Sequence, residues 1–289
     1  MKLSIFSHCA LDTISIAGNS YEQIGGAASY CGLMAREFKF DVNLFTKFGP
    51  DFPTQYLTEH KINLINSESK KNTTKFSISI SGSDRTLKLE NECDPIEYSN
   101  LDADGHIVSP IFHEISDDVF KKIKSDSNFL FVDPQGFLRQ KDSNNNIILK
   151  KTDLDLSDVN AIKINPEEGQ NIVSGSHDEM MLALQKKGIE YVLLTNKTDV
   201  SLLVKNRVYS LKLPNKHVHD TTGIGDIFCS AFTCTMLKEK DFLWALCFAA
   251  GSAQAALESN AVGLQKIPKK GMVENNASYF YNLVDFRDL

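Results

Sequence analysis

Asp220-Thr-Thr-Gly-Ile-Gly-Asp226 comes directly before a run of apolar and small residues, 227–237, that repeats with helical spacing. This pattern predicts a helix whose first turn begins at the two glycines. The backbone N–H groups of the Gly-Ile-Gly run would then be unpaired and, with the helix dipole, would form an anion site. Asp226 would lie beside that anion, where a carboxylate can accept a proton from an attacking hydroxyl. Because Asp is also an ordinary helix-start residue, the stretch alone leaves a purely structural role open.

Short apolar runs alternate with amphipathic segments along most of the chain. This alternation is typical of an α/β fold with a mainly parallel sheet that is covered on both faces. Strands are predicted at residues 3–6, 42–46, 62–65, 107–109, 129–132, 161–164 and 191–195, and helices at residues 27–38, 52–60, 242–257 and from the capping box at Ser176 to Gly188.

Three segments have the apolar alternation of β-hairpins instead. They cover residues 13–24, 73–90 and 200–211. The two early hairpins interrupt the α/β pattern, and hairpins inserted in this way often cover a site or a subunit interface. An ordinary surface excursion is the alternative interpretation.

Composition excludes several classes of function. The net charge of −6 without a basic segment argues against a nucleic-acid partner. The N-terminus has no signal-peptide layout, and the longest apolar stretch, 242–257, is broken by polar residues, so we expect no membrane span. Six cysteines without Cys-x-x-Cys spacing are typical of buried thiols in a reducing compartment. The sequence therefore predicts a soluble, cytoplasmic protein.

Other ligand motifs are missing or incomplete. The glycine stretch is not a P-loop, and it lacks the third glycine and the early position of a dinucleotide fingerprint. His217-x-His219 has the spacing of a metal pair, but no third ligand is nearby in the sequence.

Several motifs, in order, resemble those of the PfkB (ribokinase-like) kinase family. Residues 220–226 are similar to its C-terminal signature Asp-Thr-x-Gly-Ala-Gly-Asp, and Gly25-Gly26 with the Gly49-Pro-Asp51 turn resembles its N-terminal signature. Asn165-Pro-Glu-Glu168 is similar to the family's Asn-x-x-Glu. Residues 74–89 and 133–139 particularly resemble the archaeal sugar, nucleoside and inositol kinases of the family.

The resemblance implies a ribokinase-like three-layer α/β fold with a mainly parallel central sheet and a small β-sheet lid. Residues 1–12, 25–72 and 91–289 would form the core, and residues 13–24 and 73–90 the lid. The lid would exclude water from the site and could pair two subunits into a homodimer. The implied activity is transfer of the γ-phosphate of ATP to a hydroxyl of a sugar or small polyol. A nucleoside or inositol kinase, or a non-catalytic binding protein on the same scaffold, remains an alternative.

The resemblance also implies a role for individual residues. Asp226 would be the general base, and Gly223, Ile224 and Gly225 the anion hole. The residues implied to contact the substrate are Asp12, Gly25, Gly26, Tyr30, Gln135 and Arg139. Those implied to contact the nucleotide are Asn165, Thr195, Gly223, Gly225 and the region 249–254. Glu168 would bind Mg²⁺ through water, and Asp220 and Thr222 would line a monovalent-cation (K⁺) site.

The sequence departs from the family pattern at three positions. Ile224 replaces the usual Ala of the anion hole, where the backbone amide is the working group. Tyr30 stands where ribokinase-type sugar kinases usually have Asn. Thr195-Asn-Lys197 lacks the glycine that often follows this Thr.

Overall fold

The computed structural model describes residues 1–16, 18–81, 84–214, 220–259 and 261–289. The His217-x-His219 pair therefore lies outside the described residues. The strands are β1 Lys2–Phe6, β2 Ala10–Ile16, β3 Asn19–Gly25, β4 Asp41–Phe45, β5 Asn63–Ile65, β6 Thr74–Ser81, β7 Asp84–Asn91, β8 Gly105–Val108, β9 Leu130–Val132, β10 Arg139–Lys141, β11 Ile147–Leu149, β12 Ala161–Ile164, β13 Tyr191–Asn196, β14 Asp199–Val204, β15 Arg207–Lys212 and β16 Asp285–Asp288. The helices are α1 Ala27–Glu37, α2 Gln55–Glu59, α3 Asp117–Asp126, α4 Gln135–Leu138, α5 Pro166–Ile172, α6 His177–Lys186, α7 Ile224–Glu239, α8 Phe242–Glu258 and α9 Lys270–Tyr281, with a 3₁₀ helix at Gly263–Lys266.

A ten-stranded sheet forms the centre of the fold, in the order β16-β15-β14-β13-β12-β9-β8-β1-β4-β5. All neighbouring pairs from β13 to β5 are parallel, and the pairs from β13 to β16 are antiparallel. The antiparallel part contains the predicted hairpin of residues 200–211. The prediction of a mainly parallel α/β sheet is confirmed.

Helices cover both faces of this sheet. Alternate strand residues point to opposite faces, as Phe131 and its neighbours in β9 show. Phe131 joins a core with side chains of α1, α7, α8 and α9. Leu130 and Val132 join the other core, with side chains of α3, α4, α5 and α6. The fold therefore has the predicted three layers.

The two early hairpins form a second, smaller sheet in the order β3-β2-β6-β7. Their apolar side chains Ile14, Phe76, Ile78 and Leu89 form a separate core cluster. The strands extend beyond the predicted lid, since β2 begins at Ala10 and β3 ends at Gly25. In addition, β2 and β6 run parallel, because each follows a different strand of the main sheet.

The sequence predicted the ends of some helices and strands correctly and missed others. Ser176 caps α6 with the predicted capping box. The helix predicted at 52–60 is shorter and covers only Gln55–Glu59. Residues 143–146 are the turn of a β10–β11 hairpin that the sequence analysis did not predict. The short helix α4 within the segment 133–139 was also not predicted.

All six cysteines are buried and free of disulfides, as predicted. None of the helices in the described ranges has the length and apolarity needed to cross a bilayer.

Candidate active site

A cavity of about 160 Å³ lies where the strand order of the main sheet reverses. The chain runs from β1 to β4 and β5 on one side and returns to β8, β9, β12 and β13 on the other. Parallel α/β sheets bind ligands at the carboxyl ends of strands at such a point. Phe76, Ile78 and Leu87 of the smaller sheet form part of the cavity wall. The lining residues are Asp12, Gly26, Ala27, Tyr30, Phe76, Ile78, Leu87, Ile111, Asp133, Gln135, Arg139, Lys163, Thr221, Thr222, Gly223, Gly225 and Asp226.

The glycine stretch begins α7 as predicted, with Gly223 as N-cap in a left-handed conformation (φ 79°). A Cβ at Gly223 would lie 2.5 Å from the Tyr30 ring. Glycine is therefore required both by the left-handed conformation and by the close approach of this ring. The three amides differ from the prediction in one respect. The Ile224 N–H donates to the Thr221 carbonyl at 3.3 Å and is therefore not unpaired.

Asp226 lies in the first turn of α7 at the cavity wall and is 9% exposed. Burial and, to a smaller extent, the nearby Asp133 raise the pKa of its carboxyl, Lys163 and Arg139 lower it, and the resulting pKa is about 7. A carboxyl with a pKa near neutrality is well suited to accept a proton from an alcohol at physiological pH.

Lys163 is a site residue that the sequence analysis missed. Its Nζ lies 2.5 Å from Asp133 Oδ2, and both side chains are buried. Burial lowers the pKa of Lys163, but the carboxylates of Asp133 and Glu168 outweigh burial and raise the pKa well above its usual range. The Nζ is also 3.2 Å from where a Cβ of Gly225 would stand, so a cation lies beside the predicted anion site.

A sequence signal for Lys163 did exist. It is the single charged residue in the otherwise apolar strand β12, whose four residues are all buried. A lysine buried in a strand needs an anionic partner or a function. Strand alternation places it on the α7 face, opposite to Ile162 and Ile164.

Gly25 and Gly26 make room for the backbone and for Asp12. A Cβ at Gly25 would lie 1.9 Å from Asp12 Oδ2, so the missing side chain is what admits that carboxylate. A Cβ at Gly26, where φ is 83°, would lie 2.4 Å from the His8 carbonyl oxygen. Asp12 and Gly26 line the cavity as predicted. Gly25 does not line it but leaves room for the Asp12 side chain.

Polar side chains from three further segments face the cavity. Arg139 is held by hydrogen bonds to Gln135 Oε1 (2.8 Å) and the Ile111 carbonyl (2.9 Å). The Tyr30 hydroxyl is buried without a hydrogen-bond partner among the described residues. Burial, together with Asp12, Asp220 and Asp226, raises the pKa of Tyr30 well above 10, so its O–H remains available to donate.

Asn165 and Glu168 form a capping box at the start of α5. Asn165 Oδ1 accepts from the Glu168 N–H and Glu168 Oε2 accepts from the Asn165 N–H, each at 2.8 Å. The spacing Asn-Pro-x-Glu predicts this cap, which the sequence analysis did not consider. Neither residue lines the cavity, and neither does Thr195 near the end of β13.

The residues near this cap are compatible with magnesium bound through water. In the described ranges, no three His, Cys, Asp or Glu side chains lie together as a metal site. Mg²⁺ usually needs only one or two carboxylates because it keeps most of its waters and also binds substrate phosphates. With Oε2 of Glu168 engaged in the cap, Oε1 is the oxygen that would accept from a magnesium-bound water.

Asp220 and Thr222, the residues implied to line a K⁺ site, bind an ammonium group instead. Lys266 Nζ lies 2.6 Å from Asp220 Oδ2, 3.0 Å from the Asp220 carbonyl and 3.0 Å from the Thr222 carbonyl. Asp220 Oδ1 accepts from the Thr222 N–H at 2.9 Å. These contacts fix the turn that leads into Gly223.

The structure closely resembles solved kinases of the ribokinase family. A pyrophosphate-dependent kinase of that family matches with a TM-score of 0.82 and 17% identity over 95% of this chain and 99% of that chain. The Arabidopsis thaliana ribokinase complexed with ribose and ATP matches with 0.74 and 14% over 96% and 98%. The Methanocaldococcus jannaschii nucleoside kinase matches with 0.73 and 16% over 96% and 99%. The fold is therefore ribokinase-like.

Residues 135–270 match the pfkB family of carbohydrate kinases. Among curated proteins, none matches the sequence closely enough to count as a relative. This matched segment contains residues 220–226, which resemble the signature of the same family, and the whole chain has a ribokinase-like fold.

Proposed function

We propose that the protein is a kinase that transfers the γ-phosphoryl group of ATP to a hydroxyl of a sugar or related small polyol. The observation that carries this proposal is the position of Asp226. It is a buried carboxylate in the first turn of α7, at a cavity that also contains Gly223, Gly225 and two cationic side chains, Lys163 and Arg139. A base, amide donors and cations at one cavity are the groups that phosphoryl transfer needs.

Each group would have a defined task in the reaction. Asp226 would accept the hydroxyl proton while the acceptor oxygen bonds to the γ-phosphorus and the bond to the departing ADP breaks. The helix start at Gly223 and Gly225, with Lys163 beside it, would stabilise the negative charge of the transferred group. Mg²⁺, held through water by Glu168, would neutralise charge on the β- and γ-phosphates.

The size and polarity of the cavity favour a small hydroxylated acceptor. Its volume of about 160 Å³ is below the roughly 300–1,000 Å³ of typical ligand pockets. Asp12 would accept hydrogen bonds from acceptor hydroxyls, while Tyr30 and Arg139 would donate to them. We therefore rank a monosaccharide or cyclitol above a nucleoside as acceptor.

One observation favours a second phosphate donor. The neighbour with a TM-score of 0.82 is described as pyrophosphate-dependent, so pyrophosphate is the alternative to ATP. Both donors would place a phosphoryl group at the same helix start. A non-catalytic binding protein on this scaffold is the alternative from another functional class.

A phosphoryl-transfer screen tests the proposal. Purified protein with Mg²⁺ and either ATP or pyrophosphate is mixed with pentoses, hexoses, 2-keto-3-deoxy sugar acids, inositols and nucleosides, and phosphorylated products are detected by mass spectrometry. We expect a product with a sugar or polyol, and about 10²-fold less or lower still from Asp226→Asn in the same time. Binding of an acceptor without any product, from either donor, would instead identify a binding protein.

The dependence of activity on pH provides a test of Lys163. The base must be deprotonated, so we expect kcat/KM of the wild type to fall as pH drops through about 7, the pKa of Asp226. Lys163 lowers that pKa. Lys163→Met should therefore move the midpoint to higher pH and reduce activity at pH 7 more than at pH 9.

Lys124→Met is the matched control for this experiment. Lys124 is also a buried lysine in an ion pair, with Asp155 at 2.6 Å, but it lies outside the cavity. Its substitution should leave the midpoint unchanged. An unchanged or lower midpoint in Lys163→Met would show that Lys163 does not act on the base.

A further inference from the structure

Lys266 reaches the turn before the anion site from a distant part of the chain. It ends the 3₁₀ helix between α8 and α9, 46 residues after Asp220. Its ammonium group faces three oxygens at 2.6–3.0 Å, which come from the Asp220 carboxylate and from the carbonyls of Asp220 and Thr222. The Lys266 and Asp220 side chains are 1% and 2% exposed. The contact is therefore a buried, fully formed ion pair.

The chemistry of these oxygens is that of a site for a large monovalent cation. Backbone carbonyls replace the hydration shell of K⁺ in proteins, and a carboxylate adds the compensating charge. An ammonium group uses the same oxygens through N–H donors, with charge-assisted bonds of similar length. Because Lys266 Nζ already occupies the centre of this oxygen set, a K⁺ ion does not fit beside it.

We infer that Lys266 is a built-in substitute for a monovalent cation, so that the protein keeps its anion-site turn in shape without K⁺. The turn continues from Thr222 directly into Gly223, the N-cap of α7, so the ion pair is joined to the anion site by adjacent peptide groups. Lys266 is thus a positioning residue, and its catalytic meaning rests on the proposed function.

The first experiment uses the wild-type protein. Tm and kcat are measured in KCl, NaCl and choline chloride at equal ionic strength. We expect the same Tm and the same kcat in all three salts. A kcat several-fold higher in KCl, or a Tm raised by KCl alone, would overturn the inference. This experiment needs no variant and therefore does not depend on whether a variant folds.

The second experiment replaces the ammonium by empty space. Lys266→Ala leaves the Asp220 carboxylate buried without its partner, and we expect Tm to fall by roughly 6–15 °C. KCl, NH₄Cl or methylammonium chloride should then raise Tm and restore turnover relative to choline chloride. Lys266→Met, whose side chain fills the space without charge, should lose activity and show no salt-specific recovery.

Lys269→Ala is the control for this pair of variants. Lys269 is three residues away and pairs with Glu37, but its side chain is 76% exposed. Its Tm and turnover should stay at wild-type values in every salt. A Lys266→Ala protein with wild-type Tm and turnover, or one that recovers equally in choline chloride, would contradict the inference.

The Tm measurements separate this inference from the proposed function. They require no acceptor and no phosphoryl transfer. If no substrate is found, a K⁺-specific rise of Tm in Lys266→Ala still supports Lys266 as the cation substitute. If transfer is found but Tm shows no ion specificity, the proposed function stands and the inference fails.

Discussion

Asp226→Asn is expected to lower turnover by about 10²-fold or more while making the folded protein more stable at neutral pH. Asn keeps the shape of the side chain but cannot accept the proton, and general-base catalysis typically contributes at least this factor. Turnover is measured with the acceptor found in the screen, at a pH above 8 where the wild-type base is deprotonated. Near-wild-type turnover in this variant would rule Asp226 out as the base.

The gain in stability follows from the raised pKa of Asp226. The carboxyl binds its proton more tightly in the folded state, with a pKa of about 7, than in the unfolded state, with a pKa of about 3.9. Holding the charged form in the folded state therefore costs up to about 4 kcal/mol above pH 7, and nothing below pH 4. The Tm advantage of Asp226→Asn should grow between pH 4 and 7 and then level off.

Asp155→Asn is a control with the opposite sign. Hydrogen bonds from Lys124 and Ser157 lower the pKa of this exposed carboxyl, so its charged form stabilises the folded state. Removing that charge should slightly reduce Tm at neutral pH, and the difference should vanish in acid. If the Tm difference between Asp226→Asn and the wild type does not change with pH, burial does not raise the pKa of the Asp226 carboxyl.

Gly26→Ala is expected to reduce the free energy of unfolding by about 3 kcal/mol or more. The added Cβ would meet the His8 carbonyl oxygen at 2.4 Å and the Ala10 nitrogen at 2.8 Å, both backbone atoms that cannot rotate away. The positive φ of 83° adds strain. Denaturant unfolding measures the loss, and because Gly26 lines the cavity, KM for the acceptor should rise as well.

Gly188→Ala measures the cost of a side chain at positive φ in the absence of a steric clash. Gly188 also has a positive φ, 101°, but no atom lies within 4 Å of an added Cβ. Its substitution should cost only the roughly 1–2 kcal/mol of the left-handed conformation. Equal losses in the two variants would mean that the backbone near Gly26 yields to the added methyl group.

Much of the fold could be predicted because its signals are local. Alternation of strands and helices, the capping box at Ser176 and the glycines before α7 each depend on residues within a few positions of one another. Boundaries were less certain, as at α2 and at the β10–β11 hairpin. These short elements bury few side chains of their own and are fixed by contacts with the rest of the chain.

Only some of the residues to which the family resemblance assigns a role line the cavity. Asp12, Tyr30, Gln135, Arg139 and Asp226 come together at one cavity. Asn165, Glu168 and Thr195 lie outside its lining, and the first two cap α5. Their proposed contacts with nucleotide and magnesium remain predictions.

The sequence by itself determined that the glycines after Asp220 start a helix with Asp226 in its first turn, since these properties follow from neighbouring residues. It could not determine the environment of that carboxylate. Lys163 and Asp133 are 30 residues apart and Lys266 and Asp220 are 46 apart, and they meet only because the sheet order and the packing of the connecting segments bring them together. The tertiary structure thus decided the pKa of Asp226, and it placed an ammonium group where a potassium ion was expected. Both outcomes depend on burial and charge, which are set by the distant segments that pack together.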